Sequence, residues 1–347
     1  MKKIIYIYLL FIFVNNVFPV TLEKTRTIGN EDDENYIFFR IGNAKFDFKK
    51  NIYITDIKGS WIKKYSFDGM YIGKYGRKGQ GPNEFRSPRI IGVTKEYIYI
   101  YDFLNKRITM SDFDFLKIKF ISMNFLKYFM SSPYILDKNT ILGTSLDIAN
   151  PKYKGNTSNY LKVLNLKNNK SINFFNYIPQ KSKFDFRSNP VEYAVLRQQI
   201  KYIDRENKRI IITSNHKENP FKLFEYSYLG EKIKEFTICL PKIYKYPNHL
   251  LKTTRKKFKG NCNYADANSI LKYKDKYLIT FYFYQIKKGK FLDTKTFMYI
   301  IDNNGKIIKR ENLGQMLSFF DISKDGYLLG KNWDDETEGI TIYKLNI

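Results

Sequence analysis

Short alternations of apolar and polar residues, separated by polar turns, run along almost the whole chain. The clearest stretch is 89–122. Arg89-Ile-Ile-Gly-Val-Thr94 reads as a strand, and Tyr97-Ile-Tyr-Ile-Tyr-Asp102 as a second after a tight turn. Arg107-Ile-Thr-Met-Ser111 is a third, and Leu116 to Ser122 a fourth beyond Asp112-Phe-Asp114. Period-2 alternation bounded by turn residues predicts one four-stranded antiparallel sheet. No helical period of similar strength competes with it.

The unit recurs upstream. Asn51-Ile-Tyr-Ile-Thr-Asp56 matches Tyr97 to Asp102, Trp61-Ile-Lys-Lys-Tyr-Ser66 matches the third strand, and Met70 to Tyr75 follows the Asp68-Gly69 turn. Asp56 and Asp102 stand 46 residues apart, a period typical of propeller blades. Weaker copies begin near Pro133, Gln199, Ser269 and Phe319. The last copy lacks a fourth strand, and Tyr36-Ile-Phe-Phe-Arg-Ile41 has no sheet of its own. We therefore expect Tyr36–Ile41 to pair beside Gly339–Lys344 and close a ring of six blades, so that no sheet edge stays open. The fold class expected is all-β: a six-bladed β-propeller of four-stranded antiparallel blades, closed by an N-terminal strand.

Composition agrees with strands. Aromatic residues make up 17% of the 347, with 29 Tyr and 29 Phe, and aromatic side chains suit pleated, half-buried surfaces. Lys2 and Lys3 precede an unbroken apolar run from Ile4 to Val14. That is the pattern of a secretory signal over residues 1–20, and the run is short for a bilayer span. No cysteine lies near it, so no lipid anchor through an N-terminal Cys is expected, and no later stretch is apolar enough for a membrane helix. The expected location is the periplasm, cell surface or medium, with 21–347 forming a single, monomeric propeller domain. Export permits a disulfide. Cys239 and Cys262, the only two cysteines, lie 23 residues apart; a pair and two free thiols are both open.

The formal charge is +26, which would draw an anionic partner. Lys is spread along the chain and far outnumbers Arg, a pattern that coding bias alone produces; Arg is the usual choice for bidentate phosphate recognition. Export argues against nucleic acid. The densest basic stretch is Lys252-Thr-Thr-Arg-Lys-Lys-Phe-Lys259.

Gly76, Gly79 and Gly81 suggest a phosphate loop only superficially. Such a loop must open a helix, and here a strand follows. Tyr75-Gly-Arg-Lys-Gly-Gln-Gly-Pro-Asn-Glu-Phe-Arg-Ser-Pro88, with Tyr99-Ile-Tyr-Asp102 and Asn105-Lys-Arg107-Ile, resembles an NHL-type repeat. It is most similar to exported six-bladed propellers of Bacteroidetes, over residues 51–114. The resemblance implies the fold and an extracytoplasmic setting, and no single activity.

Catalytic constellations are scarce. His216 and His249 are the only histidines, and no HExxH, paired-Cys or Gly-x-Ser-x-Gly motif occurs. Asp56, Asp102 and Asp321 sit at repeat positions that favour structural roles, with Arg107 the expected partner of Asp102 and Asn105. Asp147, Glu192 and Asp266 fall in or beside long loops.

Loop lengths are uneven. Turns one-to-two and three-to-four, such as Asp68-Gly69 and Asp325-Gly326, are short. Turns two-to-three and the inter-blade connectors hold the long loops: Gly76–Pro88, Leu146–Asn159, Pro179–Arg197, Pro241–Ala267 and Lys331–Glu338. These share one face at the channel mouth, and long loops are often functional. The candidate binding residues are Arg77, Lys78, Glu84, Arg86, Tyr244, Tyr246, Arg255, Lys256, Lys257 and Tyr264. The expected partner is a protein, peptide or acidic glycan. The competing reading is a metal-dependent lyase or lactonase at the channel mouth. No cofactor is expected; Ca²⁺ is the one ion left open.

Overall fold

The computed structural model describes residues 21–122, 133–146, 159–165, 167, 171–176, 200–213, 221–239, 262–287 and 290–347. The leader assigned to residues 1–20 lies outside them. The described residues contain no helix, and their strands form six four-stranded antiparallel blades. Blade 1 is Ile41–Phe46, Ile52–Asp56, Trp61–Tyr65 and Tyr71–Tyr75, and blade 2 is Pro88–Val93, Ile98–Asp102, Arg107–Ser111 and Ile118–Ser122. Blade 3 runs through Tyr134–Asp137, Thr140–Leu146, Asn159–Asn165 and Ser171–Asn176, and blade 4 through Ile200–Asp204, Arg209–Thr213, Phe221–Ser227 and Lys232–Ile238. Blade 5 is Cys262–Tyr273, Lys276–Lys287, Lys290–Ile301 and Ile307–Asn312. Blade 6 takes Leu317–Ile322, Tyr327–Asn332 and Ile340–Asn346 from the C-terminal end, and its outermost strand, Thr21–Ile28, from the N-terminal end.

The ring closes as expected, but with a different segment. Thr21–Ile28 pairs with Ile340–Asn346 from Thr21 opposite Asn346 to Ile28 opposite Ile340. Tyr36–Ile41 is a connector, and only Ile41 is in a strand, as the first residue of blade 1's innermost strand. The physical reason is exposure. An outermost strand faces water on most sides, and Thr21–Ile28 buries only Ile28 fully. Its hydrophobic signal is therefore weak. Of the run 36–41, Phe38 and Ile41 join the core and Tyr36 packs against it, its ring tilted 41° to that of Tyr65 and its hydroxyl donating to the Gly69 carbonyl, while Phe39 and Arg40 stay exposed.

Blade-to-blade packing carries the fold. Each of the six interfaces holds its own apolar cluster. Ile211, Phe221 and Leu223 meet Phe281 and Phe283 between blades 4 and 5. Ile28, Ile340 and Ile342 meet Ile41, Ile52 and Ile54 between blades 6 and 1. Similar clusters fill the other four interfaces. Both faces of every blade are thus covered, which explains strands such as Ile52–Asp56 and Ile98–Asp102 that are buried at every position. Each fully buried Ile contributes about 1.5–3 kcal/mol of transfer free energy.

The innermost strands leave one edge of each blade facing the channel. Side chains from neighbouring blades cover part of it. Asn43 brackets Ile90, donating to its carbonyl at 2.7 Å and accepting from its N–H at 3.1 Å. Lys45 donates to the Phe320 carbonyl, and Asp321 accepts from the Phe46 N–H. Arg205 crosses from blade 4 to the Ile135 carbonyl of blade 3. These bonds satisfy backbone groups that would otherwise sit unpaired beside the core.

Candidate functional site

Antiparallel blades put turns one-to-two and three-to-four on one face, and connectors with turns two-to-three on the other. Among the described residues the first set is short, as at Asp137–Thr140 and Tyr273–Lys276. The second set includes the connectors 29–40 and 76–87 and the turn 333–339. Of the five long loops read from the sequence, Gly76–Pro88 and Lys331–Glu338 lie on this second face, while residues 147–158, 179–197 and 241–261 of the other three lie outside the described residues.

Two aspartates hold this face in register. Asp56 ends the second strand of blade 1 and accepts from Phe39 N, Arg40 N and Gly59 N at 2.7, 3.1 and 2.8 Å. Asp102, the equivalent residue of blade 2, accepts from Arg86 N and Ser87 N, and from Asn105 Nδ2 at 2.6 Å. In each blade the carboxylate pins the last two connector N–H groups before the innermost strand begins. Both aspartates are fully buried. Their structural role agrees with the repeat position. Arg107 is not their partner, because Asn105 fills that place. Its guanidinium reaches the Gln80, Gly81 and Glu84 carbonyls and lies 4.5 Å from the Phe120 ring centroid.

The connector 76–87 is therefore a built loop. Arg77–Lys78 and Glu84–Phe85 form a small parallel ladder within it. Glu84 folds back, accepting from Gly81 N at 2.7 Å and from Arg77 Nε at 2.9 Å. The Gly81 N–H and then the Arg77 guanidinium hold its carboxyl below the usual carboxylate range. Gly76 is required, with φ of +91° and the Phe85 ring 2.4 Å from where a Cβ would stand. No helix follows, so the loop has no phosphate-binding helix terminus behind it. Of the four candidates here, Glu84 braces the loop, whereas Arg77, Lys78 and Arg86 are exposed on its surface.

Tyr244, Tyr246, Arg255, Lys256 and Lys257 lie outside the described residues, as do Asp147, Glu192, His216 and His249. Tyr264 and Asp266 belong to the innermost strand of blade 5, opposite Tyr284 and Tyr282, rather than to a loop. The connector before blade 5 thus ends at Asn261 or earlier in strand terms, not at Ala267: Cys262 already pairs with Ile286. Cys239 carries a free, exposed thiol. Asp321 pairs with Lys45 at 3.1 Å. Among the described residues no group of three His, Cys, Asp or Glu side chains is placed to hold a metal ion, and no helix is long and apolar enough to cross a membrane.

The channel mouth shows residues that sequence reasoning passed over. Arg40 is the last connector residue before blade 1, and Arg89 the second residue of blade 2's innermost strand. Both are exposed, although Arg89 stands in a strand otherwise buried throughout. Neither makes an ion pair with a described residue. One sequence signal existed: a lone Arg inside an apolar strand start, Pro88-Arg-Ile-Ile91.

The side of the mouth formed by blades 6 and 1 differs. Glu31, Asp32, Glu34, Asp334, Asp335 and Glu336 are exposed there, and Thr337 Oγ1 ties the two acidic loops together through Glu31 at 3.1 Å. Trp333 is 48% exposed and donates its indole N–H to Ser318. The face is bipolar within a strongly basic chain.

No family model matches the chain, and no curated protein does. Solved structures do. The chain is similar to a Bacteroides fragilis protein classed as exported, with 12% identity, a TM-score of 0.60, and coverage of 94% of this chain and 95% of that one. It is also similar to a member of the DUF4221 family from Bacteroides vulgatus, at 10% identity and a TM-score of 0.56, covering 94% of this chain and 98% of that one. At these identities the likeness establishes the propeller fold and leaves function to the site.

Proposed function

We propose that the protein is an extracytoplasmic binding module that holds a negatively charged partner, an acidic glycan or peptide, on its long-loop face. The observation that carries this reading is the loop asymmetry together with the unpaired arginines on that face. Rigid blades position the loops, and the connector 76–87 is braced by Asp102, Glu84 and Arg107 rather than left as loose chain. Preorganised surfaces lose less entropy on binding. The basic leader and apolar run at the N-terminus support the extracytoplasmic setting, and the Bacteroides fragilis neighbour is likewise classed as exported.

The test is capture of acidic polysaccharides and envelope extracts by the purified chain at low and high salt, with metal analysis of the same preparation. Binding that weakens with salt is expected, because exposed charges are screened beyond roughly 8 Å at physiological ionic strength. Absence of capture at both salt levels would reject the reading. Stoichiometric bound Ca²⁺ with turnover of a lactone or glycan would replace it by the hydrolase or lyase alternative.

A further inference from the structure

The turn between the second and third strands of blade 6 presents an indole ring with one face open. Trp333 is 48% exposed, yet its ring is fixed on its other sides. The indole N–H donates to Ser318 Oγ at 2.6 Å, and the backbone N–H to the Met316 carbonyl at 2.9 Å. The buried Lys331 ammonium lies 4.3 Å from the ring centroid and is itself paired with Glu338. Ser318 Oγ also accepts from Asn268 Nδ2 at 2.8 Å. With both lone pairs taken, its own O–H is left for the Tyr282 oxygen at 2.5 Å. Asn268 and Ser318 belong to the innermost strands of blades 5 and 6, so the ring is anchored at the seam between those blades.

Blade 5 rises above its neighbour at this seam. Its first three strands have 12 residues each, against 6, 6 and 7 for the C-terminal strands of blade 6. Its fourth strand pairs only with Phe297–Ile301. The excess, with Cys262 opposite Ile286 and Lys287 opposite Lys290, lies on the long-loop side, where the turn between second and third strands must be. At about 3.3 Å per residue, half of such a strand stands roughly 20 Å above the mouth. Tyr282, bonded to the serine that anchors Trp333, is where this excess begins. The half-open ring is therefore tied to the foot of an upright sheet.

A tryptophan that only capped Lys331 would use one face. The other offers flat apolar area whose orientation is already set, so little entropy is lost when something lies on it. The surroundings decide what that is. A protein hot spot is ringed by contacts that exclude water, whereas Asp334, Asp335 and Glu336 follow Trp333 and are all exposed. A cation is disfavoured because the Lys331 ammonium already draws on the ring. Asp334 accepts from Met316 N at 2.9 Å and Asp335 from Asn332 Nδ2 at 2.6 Å, which fixes both carboxylates on the turn. Fixed acceptors on the same turn as an aromatic face suit a pyranose, which has an apolar C–H face and a rim of hydroxyl donors. β-Linked glucose and N-acetylglucosamine, with equatorial substituents, present the flattest such face.

We propose that Trp333 is a saccharide-stacking platform that takes the C–H face of a β-linked pyranose, while Asp334 and Asp335 accept from its hydroxyls. This rests on the reading that the long-loop face binds the partner, and it makes an uncharged sugar ring part of that partner.

The experiment is calorimetric titration of the purified chain with cellotetraose and with chitotetraose, at low and high salt, alongside tryptophan fluorescence. At least one tetramer should bind and shift the emission. Its affinity should be the same at both salt levels, because the ligand carries no charge to be screened. Trp333→Ala should weaken binding about ten-fold or more, as loss of a central Trp contact does. Trp333→Phe keeps an aromatic face and should bind between the two. Circular dichroism and the emission of Trp61 check that each variant is folded; if Trp333→Ala is not, Trp333→Phe carries the comparison. No binding of either tetramer, or equal binding by parent and variants, overturns the proposal. Loss of a captured envelope protein by Trp333→Ala, with neither tetramer bound, overturns it in favour of a protein contact. Capture of acidic polysaccharide that Trp333→Ala keeps in full, without tetramer binding, overturns it and leaves the binding-face reading intact. Tetramer binding that Trp333→Ala loses, without capture of any acidic polymer, supports it and rejects the anionic partner.

Discussion

Asp102→Ala should unfold the protein more easily without changing what it binds. Asp102 is fully buried. Its carboxylate accepts from Ser87 N at 3.0 Å, from Arg86 N at 3.2 Å through its nearer oxygen, and from Asn105 Nδ2 at 2.6 Å. Truncation removes the acceptor and leaves all three donors. Hydrogen bonds to a charged group are worth about 1.5–3 kcal/mol each, and a buried donor left unmade costs about 1–3 kcal/mol. These figures overlap because they describe the same loss from two sides, and the longest bond is weak. Water entering the vacated space would recover part of the loss. The net destabilisation expected is about 2–4 kcal/mol. Asp102→Asn keeps one carbonyl acceptor and should lose roughly half of that. Trp61 and Trp333, the only tryptophans, report from blades 1 and 6. Guanidinium denaturation followed by their fluorescence, alongside circular dichroism for all blades, gives the midpoint and slope. A midpoint unchanged within about 0.5 kcal/mol, the usual range of a neutral surface change, would refute the reasoning. So would loss of partner binding at full stability.

Two further outcomes follow from the same geometry. Deleting residues 21–28 exposes the backbone edge of Ile340–Asn346 and removes Ile28 from the blade 6–1 core; an open edge templates aggregation, so size-exclusion chromatography should show aggregates, and a monomer with the parent's midpoint would contradict this. Acid should weaken the blade 4–5 interface: burial alone would raise the Asp204 carboxyl, but the bonds from Asn207 and Lys272 outweigh it and hold it below the ordinary 3.8. A depressed folded value means that its stabilisation is present above 3.8 and is lost as pH falls from there through the folded value. Midpoints measured between pH 5 and 3 should fall more steeply for the parent than for Asp204→Asn, and parallel curves would refute the assignment.

Blades 2, 3 and 4 and most of blade 6 were legible along the chain, because an alternation of Ile, Tyr and Thr with polar turns has one low-energy solution. So was the structural role of Asp102, since an acid at the same strand end in blades 1 and 2 answers the same backbone need in both. Its partner was not legible. Asn105 and Arg107 both follow Asp102 within one turn, and only the path of the connector decides that Asn105 meets the carboxylate while Arg107 turns to the loop carbonyls. The long strands of blade 5 were underestimated because Cys262–Ala267 reads as polar, aromatic loop until Phe281–Ile286 pairs with it.

Closure shows the division most clearly. A missing fourth strand in the last blade demanded a strand from the other end of the chain, and the sequence alone determined that demand. Which segment answers it was decided by tertiary structure. Thr21–Ile28 is polar because an outermost strand is wetted, whereas Tyr36 and Phe38 are apolar because their connector packs them into the blade 6–1 core.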